Sequence, residues 1–278
     1  MDFIQLFLDS IVGTAKSLAP FAPLIVICLV SEKIWGKYDI KNKDIATNVF
    51  YTLIALSIVH SFIFPKFYTL NQYIPNNIAS IETSQFSTMQ KVGYWALYLV
   101  AFDFLYYCFH RAQHTFAWMW RYHMVHHVDE NISSTAFAKH HWLEDIWRYT
   151  FITAPLLILF NTSSIPYLAT VIIATLAIFM HWNTPLRFGV LEKLIITPHY
   201  HRIHHSIQKQ HYNKNFGAIL QLWDYLFKTR YIPKNGEFPQ TGVKGVSGWN
   251  FYTLLLPIPL FKKDRVGFAQ EKNDSIEK

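Results

Sequence analysis

Five apolar stretches fix the kind of solvent in which this chain can fold. They run at about Leu18–Val30, Asn48–Phe64, Val92–Phe109, Trp147–Phe160 and Tyr167–Met180. A full helical crossing of a bilayer takes about 20 apolar residues, so several of these are marginal spans. The last two flank Asn161-Thr-Ser-Ser-Ile-Pro166 and read as a helical hairpin whose polar tip reaches the far surface. With Asp145–Ser163 as one arm, a rise of about 1.5 Å per residue comes close to the hydrocarbon thickness. Composition agrees: of 278 residues, 51% are hydrophobic and 15% charged, against about 25% charged in a soluble domain. The expectation is an all-α integral membrane protein with four to five membrane helices and a cytoplasmic, histidine-rich helical cap. No repeat or linker divides it, so residues 1–278 are read as a single membrane domain. Met1–Val30 lacks a basic start and a small-residue cleavage site and is expected to stay attached.

Basic residues near the ends of spans favour the cytoplasmic side. Lys33, Lys37, Lys41 and Lys43 lie between the first two spans, whereas Pro65–Lys91 carries only Lys66 and Lys91 at its edges. The first loop is therefore expected inside. The third span then enters the cytoplasm near His110, and the hairpin leaves near Arg148 and returns near His181. Residues 230–278 form a cytoplasmic or interfacial segment, because Asn250–Phe261 is too short to cross and contains Pro257 and Pro259. The net charge of +7 fits a membrane surface, and no nucleic-acid motif accompanies it. Cys28 and Cys108 sit inside apolar runs and read as buried structural thiols rather than a disulfide or a thiolate metal site.

Fourteen histidines are present, and most are ordered: His110-x-x-x-His114, His123-x-x-His126-His127, a single His181, and His201-x-x-His204-His205. Residues three and four apart share a helix face, so each H-x-x-H-H triplet can aim three imidazoles into one cavity. Charged, they would repel one another; neutral, they would each need hydrogen bonds. A divalent metal bound to the neutral nitrogens resolves both problems. Imidazole suits zinc, copper, iron and nickel alike, but eight or nine ligands point to two metals. His60 and His211 read as isolated structural histidines. A histidine-rich transporter or sensor would need polar groups through the membrane depth, and these histidines collect at one end. A zinc hydrolase would be expected to carry H-E-x-x-H, which is absent, and the boxes have no glutamate beside them.

The boxes resemble those of the fatty acid hydroxylase and sterol desaturase superfamily, integral membrane di-iron oxygenases. Asp103-Phe-Leu-Tyr-Tyr-Cys-Phe-His110-Arg111, Thr197-Pro198, Asn215-Phe-Gly217 and Trp223-Asp224 extend the resemblance, notably toward its alkylglycerol monooxygenase branch, over about 103–229. The resemblance implies that His110, His114, His123, His126, His127, His201, His204 and His205 bind two irons, with His181 as a ninth ligand. It further implies O2 as co-substrate and a lipid substrate, whether fatty acyl, alkyl-lipid, sterol or isoprenoid. No G-x-G-x-x-G fingerprint or haem-attachment motif is present. Electrons are therefore expected from a cytochrome b-type protein, a ferredoxin or a reduced pterin. The membrane would be a bacterial inner membrane or the endoplasmic reticulum.

Asp103 lies seven residues before His110, on the same helix face, and is expected to orient a ligand imidazole. Asn183 and Asp224 are read either the same way or, equally, as caps or helix-packing contacts. His140, His141 and His199 are supporting or substrate-side candidates, since Lys139-His140-His141 stands where many relatives carry Arg-x-His. Lys228 stands where relatives commonly have Gly.

Overall fold

The computed structural model describes residues 3–63, 65–66, 69, 83–160, 167–244 and 246. Among them every regular element is helical; the only bridges are the isolated antiparallel pairs Ile195–Leu220 and Ser206–Thr241. The expected hairpin tip at 161–166, most of the loop from Pro65 and the Asn250–Phe261 segment lie outside the described residues.

The chain opens with α1 (Phe3–Leu18) and α2 (Ala22–Trp35), joined by a 3-10 turn over Ala19–Phe21 that contains Pro20. Together they make an apolar rod, Ile4–Trp35, of 32 residues. The first apolar stretch is thus longer than Leu18–Val30: Asp9 and Lys16 do not interrupt the helix, because each adds to an exposed face. α1 packs on α3 (Asn42–Ile58), and polar side chains pin the pair. Thr14 Oγ1 meets His60 Nδ1 at 2.9 Å, and Ser61 donates to Ser10 at 2.6 Å. His60 therefore ties helix to helix.

α4 (Thr88–Thr115) starts at a capping box in which Ser87 and Gln90 exchange side-chain and backbone bonds. It is long and apolar enough to cross a membrane, as are Ile4–Trp35 and Asn42–Ile63. Two shorter apolar arms stand where the other spans were expected. The first comprises α6 (Glu144–Arg148), a π-helical turn (Tyr149–Thr153) and α7 (Ala154–Leu159). The second is α8 (Tyr167–Met180). Pro155 supplies no N–H, and the adjoining wide turn absorbs the lost bond. Phe160 is extended and ends the arm before Ser163. The arm seats Ile152, Leu156 and Phe160 against Tyr94 and Phe109 of α4.

At Phe116, extended at φ −95°, α4 stops and α5 (Ala117–His127) folds back along it. Two short helices complete the cap: α9 (Pro198–His204), with Pro198 in its first turn, and α10 (Leu222–Leu226). α10 ends in a left-handed residue, Lys228 at φ +60°. The Thr229 N–H bonds to Asp224 O at 2.9 Å and Lys228 N–H to Tyr225 O at 3.3 Å, so the glycine-type helix stop forms with a lysine in it. Cys28 is buried as expected; Cys108 is exposed, because it lies on the outer wall of α4.

Candidate metal centre

The inward stripe of α4 reads Asp103, Tyr107, His110, His114, positions that recur every three or four residues and so share a face. The turn at Phe116 lays the histidine face of α5 over its end. α8 delivers His181 at its C-terminus, and α9 presents its own box from the opposite side.

The nine imidazoles converge in two adjoining sets. His110, His114, His123, His127 and His204 form one; His126, His181, His201 and His205 form the other. All are buried except His114, which is partly so, and its Nε2 is nonetheless sealed from solvent with no protein partner. The three imidazoles of each triplet do not stay in one set. In each box the i and i+4 residues serve one set and the i+3 residue the other: His123 and His127 join His204, and His201 and His205 join His126. A helix rotates about 100° per residue, so the third imidazole diverges from the other two and crosses to the neighbouring set.

Ligands about 2.1 Å from a shared ion stand about 3.0 Å apart at right angles and about 3.4 Å apart at tetrahedral angles. The Nε2 atoms have this spacing. His110–His123 is 3.0 Å, His127–His123 3.3 Å and His204–His127 3.1 Å. In the other set His181–His126 is 3.1 Å, His201–His181 3.2 Å and His205–His201 3.0 Å.

The opposite ring nitrogens decide the protonation. A carbonyl oxygen only accepts, so the Nδ1–H of His110 donates to Phe216 O (2.9 Å), that of His126 to Lys139 O (3.2 Å), that of His181 to Ala177 O (2.6 Å) and that of His204 to Lys214 O (2.9 Å). In these neutral rings Nε2 is left bare and points at another Nε2. Burial, reinforced by neighbouring imidazoles, holds His126, His127, His201 and His205 well below the ordinary histidine pKa. Burial brings His181 and His204 down to about 3, although each keeps a carbonyl partner that favours its charged form. Facing lone pairs repel unless a cation lies between them, so the donor set fits two metal ions.

Two aspartates build the floor under the five-histidine set. Asp224 accepts the N–H groups of Phe216 (2.8 Å) and Gly217 (2.9 Å); Asp103 accepts those of Ala218 (3.2 Å), Ile219 (2.8 Å) and Leu220 (3.1 Å), together with Trp223 Nε1 (2.9 Å). Five consecutive amides are thereby satisfied. Gly217 is required here, since a Cβ would come within 2.6 Å of Leu220 O. Asp103 does share the His110 face, but its bonds go to backbone amides and the Trp223 indole rather than to an imidazole. It acts on His110 through the loop whose Phe216 carbonyl holds the ring. Asp224 likewise holds backbone amides and no imidazole, which fits its alternative reading as a capping or packing residue.

Glu144, absent from the sequence candidates, is the carboxylate that meets a box. Its Oε1 accepts from His123 Nδ1 (3.3 Å) and His140 Nδ1 (3.2 Å), while Oε2 is buried without a partner. The attraction of His123 and His140 outweighs burial and holds its carboxyl well below the usual range. His140 and Glu144 stand four apart but across a turn, closed by the Glu144 N–H on His141 O at 2.8 Å, so helical spacing gives no signal for the pair. His140 stacks on His126 at 4.3 Å. His141 lies outside both sets, buried between Tyr122 and Trp142. His199 packs against Phe238. Asn183 bonds Tyr38 O and Arg202 rather than an imidazole. His211 joins Ser206 and Glu237.

These features define a helical membrane protein with a polyhistidine centre of two adjoining ligand sets. Residues 95–229 match the family model described as fatty acid hydroxylase, so this segment is similar to that family. All four histidine groups lie within the match. An ornithine lipid hydroxylase from Rhizobium tropici is 27% identical over 167 residues, 60% of this chain and 50% of that protein. Alkylglycerol monooxygenase from Homo sapiens is 28% identical over 174 residues, 63% of this chain and 36% of that one. A fatty acid hydroxylase from Lecanicillium sp. is 31% identical over 159 residues, 49% and 41% of the two chains. The matched segment therefore spans half the length of these relatives or less. No solved structure matches.

Proposed function

We propose that the protein is a membrane-bound, non-haem di-iron oxidoreductase that uses O2 to hydroxylate or desaturate a C–H bond of a lipid. The observation that carries this reading is the pair of histidine sets with bare Nε2 atoms 3.0–3.3 Å apart. His110, His114, His123, His127 and His204 would hold one iron, and His126, His181, His201 and His205 the other. Iron supplies the O2 activation and hydrogen-abstracting power that side chains lack. The protein's own part is to fix the ring tautomers through carbonyls and Glu144, and to keep bulk water from the centre by burial. The names of the relatives, two hydroxylases and a monooxygenase, favour oxygen insertion over desaturation.

A lipid substrate suits a centre at the end of membrane helices, where an acyl, alkyl or isoprenoid chain arrives directly from one leaflet. Lys33, Lys37, Lys41 and Lys43 favour the cytoplasmic face for the histidines. That basic face also suits an external electron donor, whether a cytochrome b-type protein or a ferredoxin; a reduced pterin is the small-molecule counterpart. The test is elemental analysis of the purified protein together with lipid mass spectrometry under O2 and under argon. Two irons per chain and O2-dependent gain of one oxygen, or loss of two hydrogens, are expected. A single zinc with lipid hydrolysis would overturn the reading in favour of a hydrolase.

A further inference from the structure

Two short segments of the cap carry apolar side chains that nothing among the described residues covers. The first, 186–194, includes a 3-10 turn at Gly189–Lys193 and exposes Leu186, Val190, Leu191 and Leu194; Val190 is 71% exposed. The second, 218–227, contains α10 and exposes Leu222, Tyr225, Leu226 and Phe227; Tyr225 is 67% exposed. They form one surface. Ile196 N–H bonds Ile219 O and Gln221 N–H bonds Leu194 O, both at 2.9 Å. The Gln221 side chain donates to the Glu192 and Ile195 carbonyls at 2.8 Å each.

The position of this surface along α4 sets its depth. Phe104 meets Trp223 at 4.8 Å and Tyr107 stacks on Phe227 at 5.3 Å, measured between ring centroids. Phe104 lies about 7 Å along the helix inside Phe109, the end of the apolar stretch of that span. On the same face, one and two turns back, Val100 and Leu97 are exposed to whatever surrounds α4. The uncovered surface thus continues the outer wall of a membrane span.

Irregular backbone at membrane depth is tolerated only where its polar groups are satisfied inside the protein. The Asp103 and Asp224 cage meets that demand for the five amides from Phe216 to Leu220. Exposed Lys193 and Lys228 flank the surface and suit the headgroup level.

We infer that 186–194 and 218–227 form a wedge embedded in the leaflet on the histidine side, with its apolar face among lipid chains. The wedge sits beside the metal centre: Phe216, on its inner side, lies 5.6 Å from His110 and 5.2 Å from His114, ring to ring. It rests on packing and holds whatever ion or reaction the histidines serve.

The test places a nitroxide label singly at positions 191, 194, 225 and 226, and at the cap positions 210 and 235 as controls, in a Cys28→Ala, Cys108→Ala background. The full chain is reconstituted in nanodiscs of phosphatidylcholine and phosphatidylglycerol, and collisions with O2 and with a nickel chelate are measured. Labels on the wedge should be relaxed more by O2 than by nickel, and the controls the reverse. Nickel access at 191 and 226 equal to that at 210 would overturn the inference. Shielding from both reagents, with dimers that grow as protein per disc rises, would also overturn it and assign the surface to a second copy. Labelling Leu97 on the α4 wall separates a misplaced wedge from a failed reconstitution, since it must read as lipid-exposed in any membrane-inserted sample.

Discussion

The two histidine sets use the same chemistry on different supports. In the five-histidine set, the Nδ1 protons of His110 and His204 go to carbonyls of the 214–216 turn, and two buried aspartates cage the amides that follow. In the four-histidine set, His181 bonds within its own helix, and His126 leans on the carbonyl of Lys139. Lys139 is anchored by a 2.5 Å ion pair to Asp129, which Asn48 of α3 also holds at 2.9 Å. One set is thus propped by a loop without regular structure, the other by helices and a single ion pair. A caged loop is the more fragile support, because removing one acceptor strands several buried donors at once.

Removing a histidine from either set should have the largest effect. His204→Ala and His126→Ala should each lower bound metal from two ions per chain to about one and abolish lipid oxidation, with insertion into the membrane unchanged. Elemental analysis with product mass spectrometry checks this; retained turnover in either variant would take that residue out of the centre. The supports should separate next. Asp224→Ala should cost on the order of 3 kcal/mol, since it strands the Phe216 and Gly217 amides and the Thr229 hydroxyl. Lys139→Met keeps its carbonyl and should cost less. Equal midpoints in denaturant titrations would contradict the asymmetry.

Glu144→Gln removes the charge facing His123 and His140 and should weaken metal retention about 10- to 100-fold. Competition with a chelator measures it, and an unchanged off-rate would assign Glu144 to packing alone. Acid should affect both sets together. The buried histidines outside the spans have folded pKa values below their unfolded value of about 6.5. Below that pH the unfolded chain binds more protons than the folded one. Stability of the metal-free protein should therefore fall as pH drops from about 6.5 toward 3, where His181 and His204 titrate; thermal midpoints across that range test it. Lys228→Gly should have the smallest effect, a gain of about 1 kcal/mol from relief of its left-handed backbone, with metal content unchanged.

Much of this architecture was legible from spacing. The boxes and the face shared by Asp103 and His110 follow from helical periodicity. The role of Asp103 was not legible, because a sequence shows which way a carboxylate points but not which amides arrive opposite it from 115 or more residues away. The role of Glu144 is hidden in the sequence for a related reason. It is remote from His123 in the chain and reaches it only once α5 and α6 pack together.

The sequence by itself determined that this chain enters a membrane and that nine histidines stand in ordered groups, since apolar length and residue spacing are local properties. Only the tertiary structure decided that each box divides its imidazoles between two sets, and that two aspartates support the loop beneath one of them. Those outcomes depend on the angles at which separate helices meet, which are set by packing between distant segments.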